Sequence, residues 1–129
     1  MEIKTKITGV QHAGIPTNDI GKSMQFYRGL GFEPVWQTVN PDNGEAVAFL
    51  QLGNLVMENR QAVGKPGAID HIALNVTGID LLFENMKDAG HKMLDDKVQY
   101  LPFWAHGVKF FTILGPNEEK IEFCEKLTE

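Results

Sequence analysis

The sequence has little of what marks secreted, membrane or nucleic-acid-binding proteins. Its single cysteine, Cys124, cannot form a disulfide within the chain, which fits a reducing compartment. No apolar run approaches the ~20 residues that span a bilayer, and the first residues lack the apolar stretch of a signal peptide. The 12 basic residues are outnumbered by 17 acidic ones and form no basic block, which argues against a nucleic-acid surface. We therefore expect a cytoplasmic protein that binds neither nucleic acid nor membrane.

What the sequence does have is an internal repeat. Residues 9–15 resemble residues 68–74, and this match places His12 on His71 at an offset of 59 residues. Near the end of each half, Glu58 matches Glu122 at an offset of 64, so the second half has gained about five residues in a loop. Each half therefore contributes one histidine and one glutamate. The 129 residues are predicted to form a single domain of two modules, about 7–62 and about 68–126.

The spacing of apolar and turn-forming residues predicts the order strand, helix and three strands in each module. The predicted elements of the first are Val10–Ile15, a helix that starts near Ile20 and is ended by Gly29 and Gly31, Pro34–Val39, Ala46–Leu52 and Leu55–Asn59. Those of the second are Ile69–Val76, a helix over Ile79–Ala89, a strand near Lys92–Leu94, Val108–Leu114 and Lys120–Cys124. The segment 64–67 is predicted to be the linker. The fold class is α+β, with two tandem βαβββ modules forming a curved, cup-shaped mixed sheet that carries its helices on the outer face.

Alternation along the strands predicts which side chains face the helices. In the strand Ile69–Val76, the residues Ile72, Leu74 and Val76 share the face that packs on a helix, and His71 lies on the other face. The histidine therefore points into the predicted cup.

The last strand of each module carries a carboxylate on that same cup face. Ile121 and Phe123 lie on the helix side, so Glu122 points away from the helix, as does Cys124. In the first module Leu55 lies under the helix, and Glu58 points away.

Together these positions predict a metal site. A lone histidine or glutamate on a sheet is usually exposed to solvent. Solvent exposure does not explain why two histidines and two glutamates occupy equivalent positions of a repeat. Unpaired buried carboxylates are costly, whereas two imidazoles and two carboxylates suit an octahedral divalent ion such as Ni, Co, Zn, Mn or Fe. The predicted ligands are His12, Glu58, His71 and Glu122.

These motifs resemble those of the vicinal oxygen chelate superfamily, and they are nearest to its glyoxalase I branch. The segments that carry the resemblance are 10–14, 23–32, 55–58, 70–74 and 115–123. The resemblance implies paired βαβββ modules around a divalent ion whose two waters are replaced by vicinal oxygens of the substrate. It further implies an enediolate and a glutamate that shuttles the proton, with Glu122 as the first candidate for the base and Glu58 as its partner. A homodimer, in which modules can exchange between subunits, is also implied.

The chain departs from glyoxalase I at two positions where that enzyme binds glutathione. Pro16 stands where many relatives have an arginine, and Ala62 stands where they have an asparagine. A glutathione hemithioacetal is therefore not expected as the substrate. Arg60 points to the same face of its strand as Glu58, and Lys120 points to the same face as Glu122. Either side chain could therefore bind an anionic substrate. The alternative is a solvated charge at the rim of the cup.

The longer loop of the second module gathers aromatic residues between 100 and 107. Exposing them without a function is unfavourable, so Phe103 and Trp104 are predicted to close over the substrate or to pack on a partner subunit.

Three classes of function remain open. The main prediction is a metal-dependent lyase or isomerase of the glyoxalase I type that acts on a small substrate with vicinal oxygens. The alternative within the same superfamily is an epimerase of an acyl thioester or a fosfomycin-type transferase, and an extradiol dioxygenase fits less well. A metal-free binding protein of the bleomycin-resistance type would lack the ligands that this chain retains.

Overall fold

The architecture was determined from a computed structural model that describes residues 3–62 and 67–129. The elements are a 3₁₀ turn at Ile3–Thr5, β1 (Ile7–Thr17), α1 (Ile20–Gly29), β2 (Glu33–Val39), β3 (Ala46–Leu52), β4 (Leu55–Gln61), β5 (His71–Val76), α2 (Ile79–Asp88), β6 (Lys92–Met93), β7 (Gln99–Leu101), β8 (Val108–Leu114) and β9 (Lys120–Lys126). The nine strands form a mixed sheet, which confirms the α+β class. Neither α-helix is long and apolar enough to span a membrane.

The predicted order of elements is confirmed in both modules. The strands Ala46–Leu52 and Val108–Leu114 have the predicted bounds. Two differences are a longer first strand and the additional strand β7 in the loop before β8. Most of the predicted linker, residues 64–66, lies outside the described residues.

The structure divides into two compact units. The His12 unit comprises His12–Asp70. The His71 unit comprises His71–Glu129 together with the chain up to Gln11. Strand β1 contributes its first part to the His71 unit and its second part to the His12 unit. The compact units are therefore shifted by several residues from the sequence repeat.

In the His12 unit, the strand order is β2-β3-β4-β1, and only the β4–β1 pair is parallel. The connection between these two parallel strands contains α1, β2 and β3, and α1 begins where Asp19 accepts a hydrogen bond from the backbone N–H of Lys22. The core consists of Phe32, Ala48, Leu50 and Met57, against which Ile15, Ile20, Met24 and Tyr27 pack. Ile20, Met24 and Tyr27 recur at helical spacing in the sequence, and they form the face of α1 that packs on this core.

The His71 unit repeats this arrangement around α2. Strand β5 is paired with β9 in parallel, and β9, β8 and β6 follow in antiparallel order, with β7 paired to β8. Glu125 accepts hydrogen bonds from the backbone N–H groups of Gly78 and Ile79, which fixes the beginning of α2 on β9. The buried core consists of Val76, Ile79, Leu82, Phe83, Met86, Phe111, Ile113 and Phe123.

Two residues predicted to lie under the helices are exposed instead. Ile72 is 41% exposed and Leu55 is 42% exposed. Each lies at the beginning of its strand, and the helix-facing cores reach only the later residues Leu74 and Met57. Alternation gave the side of the sheet, but the extent of the helix above it decides which residues are covered.

Candidate metal centre

The His12 unit brings one histidine and one glutamate together. His12 on β1 and Glu58 on β4 lie on parallel neighbouring strands, and the Nε2 and Oε1 atoms of the two side chains are 3.7 Å apart. Both residues are buried, with 3% and 8% of their surface exposed. The imidazole of His12 packs edge-on against the ring of Phe49, which holds its orientation.

The His71 unit contains the equivalent pair. His71 on β5 and Glu122 on β9 also lie on parallel neighbours, with Nε2 and Oε1 3.8 Å apart. His71 is 8% exposed. Its imidazole ring is therefore nearly as well shielded from water as that of His12.

The two pairs have the same register. Glu58 lies opposite Gly14, two residues beyond His12, and Glu122 lies opposite Ala73, two residues beyond His71. The repeat seen in the sequence therefore extends to the pairing of the strands and to the distance between the histidine Nε2 and glutamate Oε1 atoms.

The geometry of each pair fits a metal ion. Two N or O donors bound to one ion at about 2.1 Å each can be at most about 4.2 Å apart. The separations of 3.7 and 3.8 Å lie within this limit. Imidazole nitrogen and carboxylate oxygen together suit borderline divalent ions. Each pair can thus supply two ligands, and the sharing of one ion by all four residues stays a prediction.

One polar pair of the His71 unit was missed by the analysis of the sequence. Asn75, which has the same direction as His71 on β5, accepts a hydrogen bond of 2.8 Å from the side chain of the buried Gln11. Alternation along β5 gives Asn75 the direction of His71, but nothing in the sequence indicates Gln11 as its partner.

Arg60 has two acidic neighbours. Its guanidinium lies 3.4 Å from the carboxylate of Asp70 and 3.8 Å from that of Glu45, and its side chain is 31% exposed. Two negative charges therefore already surround this cation. Its predicted contact with an anionic substrate stays a prediction, and the structure indicates that it also helps to hold its own unit together.

We expect Arg60→Ala to destabilise the protein modestly. Removing the cation takes away the attraction that Arg60 exerts on Glu45 and Asp70, at a cost of about 1 kcal/mol for a pair that remains in part solvated. A denaturant titration of the variant measures this loss, and Arg60→Lys should recover part of it. Unchanged stability of Arg60→Ala would show that the two carboxylates are solvated without the arginine.

The three other predicted substrate contacts belong to the His71 unit. Phe103 is buried there, while Lys120 is exposed at the start of β9, opposite His71. Trp104 has a positive φ of 64°, and the Nζ atom of Lys126 lies 3.8 Å from the centre of its ring. Burial lowers the pKa of Lys126. One face of the indole is therefore occupied by a cation, and the contact of these residues with substrate stays a prediction.

Comparison with known proteins identifies the family to which the sequence is similar. The sequence model of the Glyoxalase/Bleomycin resistance protein/Dioxygenase superfamily matches residues 9–123. The uncharacterized protein YwbC of Bacillus subtilis is 26% identical over an alignment of 125 residues, and the match covers 91% of this chain and 97% of that protein. The mitochondrial methylmalonyl-CoA epimerase of Bos taurus is 25% identical over an alignment of 122 residues, and the match covers 84% of this chain and 67% of that protein.

The solved structures show the same fold. The crystal structure of methylmalonyl-CoA epimerase from Mycobacterium tuberculosis has a TM-score of 0.80 to this chain at 19% identity. The match covers 95% of this chain and 90% of that one. At this identity the likeness establishes the architecture.

Proposed function

The chain belongs to the Glyoxalase/Bleomycin resistance protein/Dioxygenase superfamily, and from this premise we propose that it is a divalent-metal-dependent epimerase of a small acyl thioester. The observation that carries the proposal is the histidine and glutamate pair in each unit, at the same register and with similar separations of 3.7 and 3.8 Å. In the proposed site His12, Glu58, His71 and Glu122 bind one ion. An ion bound there would act as a Lewis acid on the carbonyl oxygen of the substrate.

Two groups on opposite faces of a carbon centre can invert it by dividing the proton transfers between them. One removes the proton from one face of the carbon next to the carbonyl, and the other delivers a proton to the opposite face. In our proposal Glu122 serves one face and Glu58 the other, because each unit contributes one carboxylate. The burial of Glu58 and of both histidines supports this role, since a site shielded from water strengthens the electrostatic interactions within it.

The choice of an acyl thioester follows from the relatives. The mammalian proteins that match this chain are named methylmalonyl-CoA epimerases, and the bovine one is matched over 67% of its length. We therefore propose an acyl-CoA with an acidic C–H beside the thioester carbonyl as the substrate class.

A lyase of the glyoxalase I type is the second candidate, because the same four residues would serve it. The glutathione contacts of that enzyme are missing, since Pro16 is a buried residue of β1 opposite Arg60 and Ala62 follows the end of β4. We expect the hemithioacetal of glutathione and methylglyoxal to be turned over weakly or not at all.

A single assay separates the two functions. The metal-loaded protein is incubated in D2O with methylmalonyl-CoA, and deuterium at the carbon beside the thioester is followed by mass spectrometry. We expect exchange that depends on the metal, with protein treated with a chelator as the control. Absence of exchange together with efficient turnover of the glutathione hemithioacetal would replace the epimerase by the lyase.

A further inference from the structure

The two oxygens of the Glu122 carboxylate have different neighbours within the His71 unit. Oε1 faces the imidazole of His71 at 3.8 Å, and Oε2 lies 2.7 Å from the sulfur of Cys124. Cys124 is 2% exposed and lies two residues further along β9, so both side chains project from the same face of the strand. The carboxylate is therefore held between a thiol and an imidazole.

The direction of this hydrogen bond follows from the chemistry of the two groups. An ionised carboxylate can only accept, and a thiol is a weak donor whose hydrogen bond is strengthened by a charged acceptor. A carboxylate that is tied at one oxygen cannot turn freely about its terminal torsion, so the other oxygen stays directed toward His71. Carboxylates that bind metals are themselves commonly oriented by such hydrogen bonds.

The other unit does not repeat this arrangement. The residue two positions beyond Glu58 is Arg60, and its guanidinium is directed to Asp70 and Glu45. Glu122 therefore has a thiol neighbour, whereas an arginine lies at the corresponding position beside Glu58.

We propose that Cys124 is a positioning residue, whose S–H group donates to Oε2 of Glu122 and so directs Oε1 toward the metal. This inference rests on the proposed function for the role of Glu122. The hydrogen bond itself can be tested without any metal.

The first test uses the infrared S–H stretching band of the metal-free protein. Cys124 is the only cysteine, so the band has one source. We expect the band at lower frequency in the wild type than in Glu122→Ala, because donation to a carboxylate weakens the S–H bond. Identical bands in the two folded proteins, or no S–H band in the wild type, would overturn the proposal.

The second test measures the affinity for Co²⁺ in three variants at position 124. Cys124→Ala and Cys124→Val remove the donor, and valine keeps the space filled, so both should bind Co²⁺ about 10-fold more weakly. Cys124→Ser restores a donor and should recover most of the affinity and the wild-type Co²⁺ absorption spectrum. Unchanged affinity in the alanine and valine variants, or failure of serine to recover it, would contradict the positioning role.

The two proposals can fail separately. If the wild type binds no Co²⁺, the metal-dependent function and the role of Cys124 in it are both wrong, and the S–H band still decides whether the hydrogen bond forms. If the wild type binds Co²⁺ and the S–H bands are identical, only the inference about Cys124 fails.

Discussion

Glu122→Gln should lower the rate of epimerisation by about 10²–10⁴-fold, the range for loss of a general base. Glutamine keeps an oxygen that can bind the metal but cannot take up a proton at neutral pH. We therefore expect kcat to fall much more than the metal content. Elemental analysis and a kinetic assay on the same sample measure the two quantities.

The companion variant Glu58→Gln sharpens this experiment. If each carboxylate serves one face of the carbon, Glu122→Gln should stop deuterium exchange with one epimer of the substrate, and Glu58→Gln should stop it with the other. The exposed Glu84 on α2 offers a matched control, because Glu84→Gln changes the same chemical group on the solvent-exposed side of a helix. Equal loss of exchange with both epimers in one variant would show that one glutamate serves both faces.

His71→Ala should remove most of the bound metal, with a loss of affinity of at least about 100-fold. Removing a direct ligand should cost more than the 10–100-fold typical of residues that only orient ligands. Metal content per subunit is measured by elemental analysis after dialysis, and His12→Ala should behave alike if the four residues share one ion.

The control for these histidine variants is His91→Ala. His91 is exposed just beyond the end of α2, so its loss should leave the metal content unchanged. Circular dichroism checks that all variants remain folded. Full metal content in folded His71→Ala would refute the proposed ligand set.

Much of the fold could be predicted because local signals and the repeat agreed. The glycine and proline residues around α1 and the apolar run of Ala46–Leu52 each specify one element without help from distant parts of the chain. Strand β7 was missed because Gln99–Leu101 is only three residues long, which is too short for alternation to be recognised. Its formation depends on pairing with β8, which a local pattern does not reveal.

In the candidate site, local sequence patterns predict the direction of side chains, whereas the contacts of these side chains depend on distant parts of the chain. Alternation placed Glu122 and Cys124 on one face, but it could not give the distance between the sulfur and the carboxylate. The direction of Arg60 along β4 was also predictable, whereas its neighbours Glu45 and Asp70 come from other parts of the chain. Sequence patterns identify the charged and polar side chains of the site, and the tertiary structure determines which of these side chains contact one another.

The division of β1 between the two units has a consequence for how the protein folds. In the His71 unit, the hydroxyl of Thr8 donates to the backbone oxygen of Asn75, which is 67 residues further along the chain. Strand β1 therefore waits for one of its partners until the chain has been made as far as β5. Contacts of such long sequence separation slow folding, because the entropy of closing the loop is lost before the contact can stabilise it. We expect the His71 unit to complete its structure only after β9 has been made, although it includes the first part of β1.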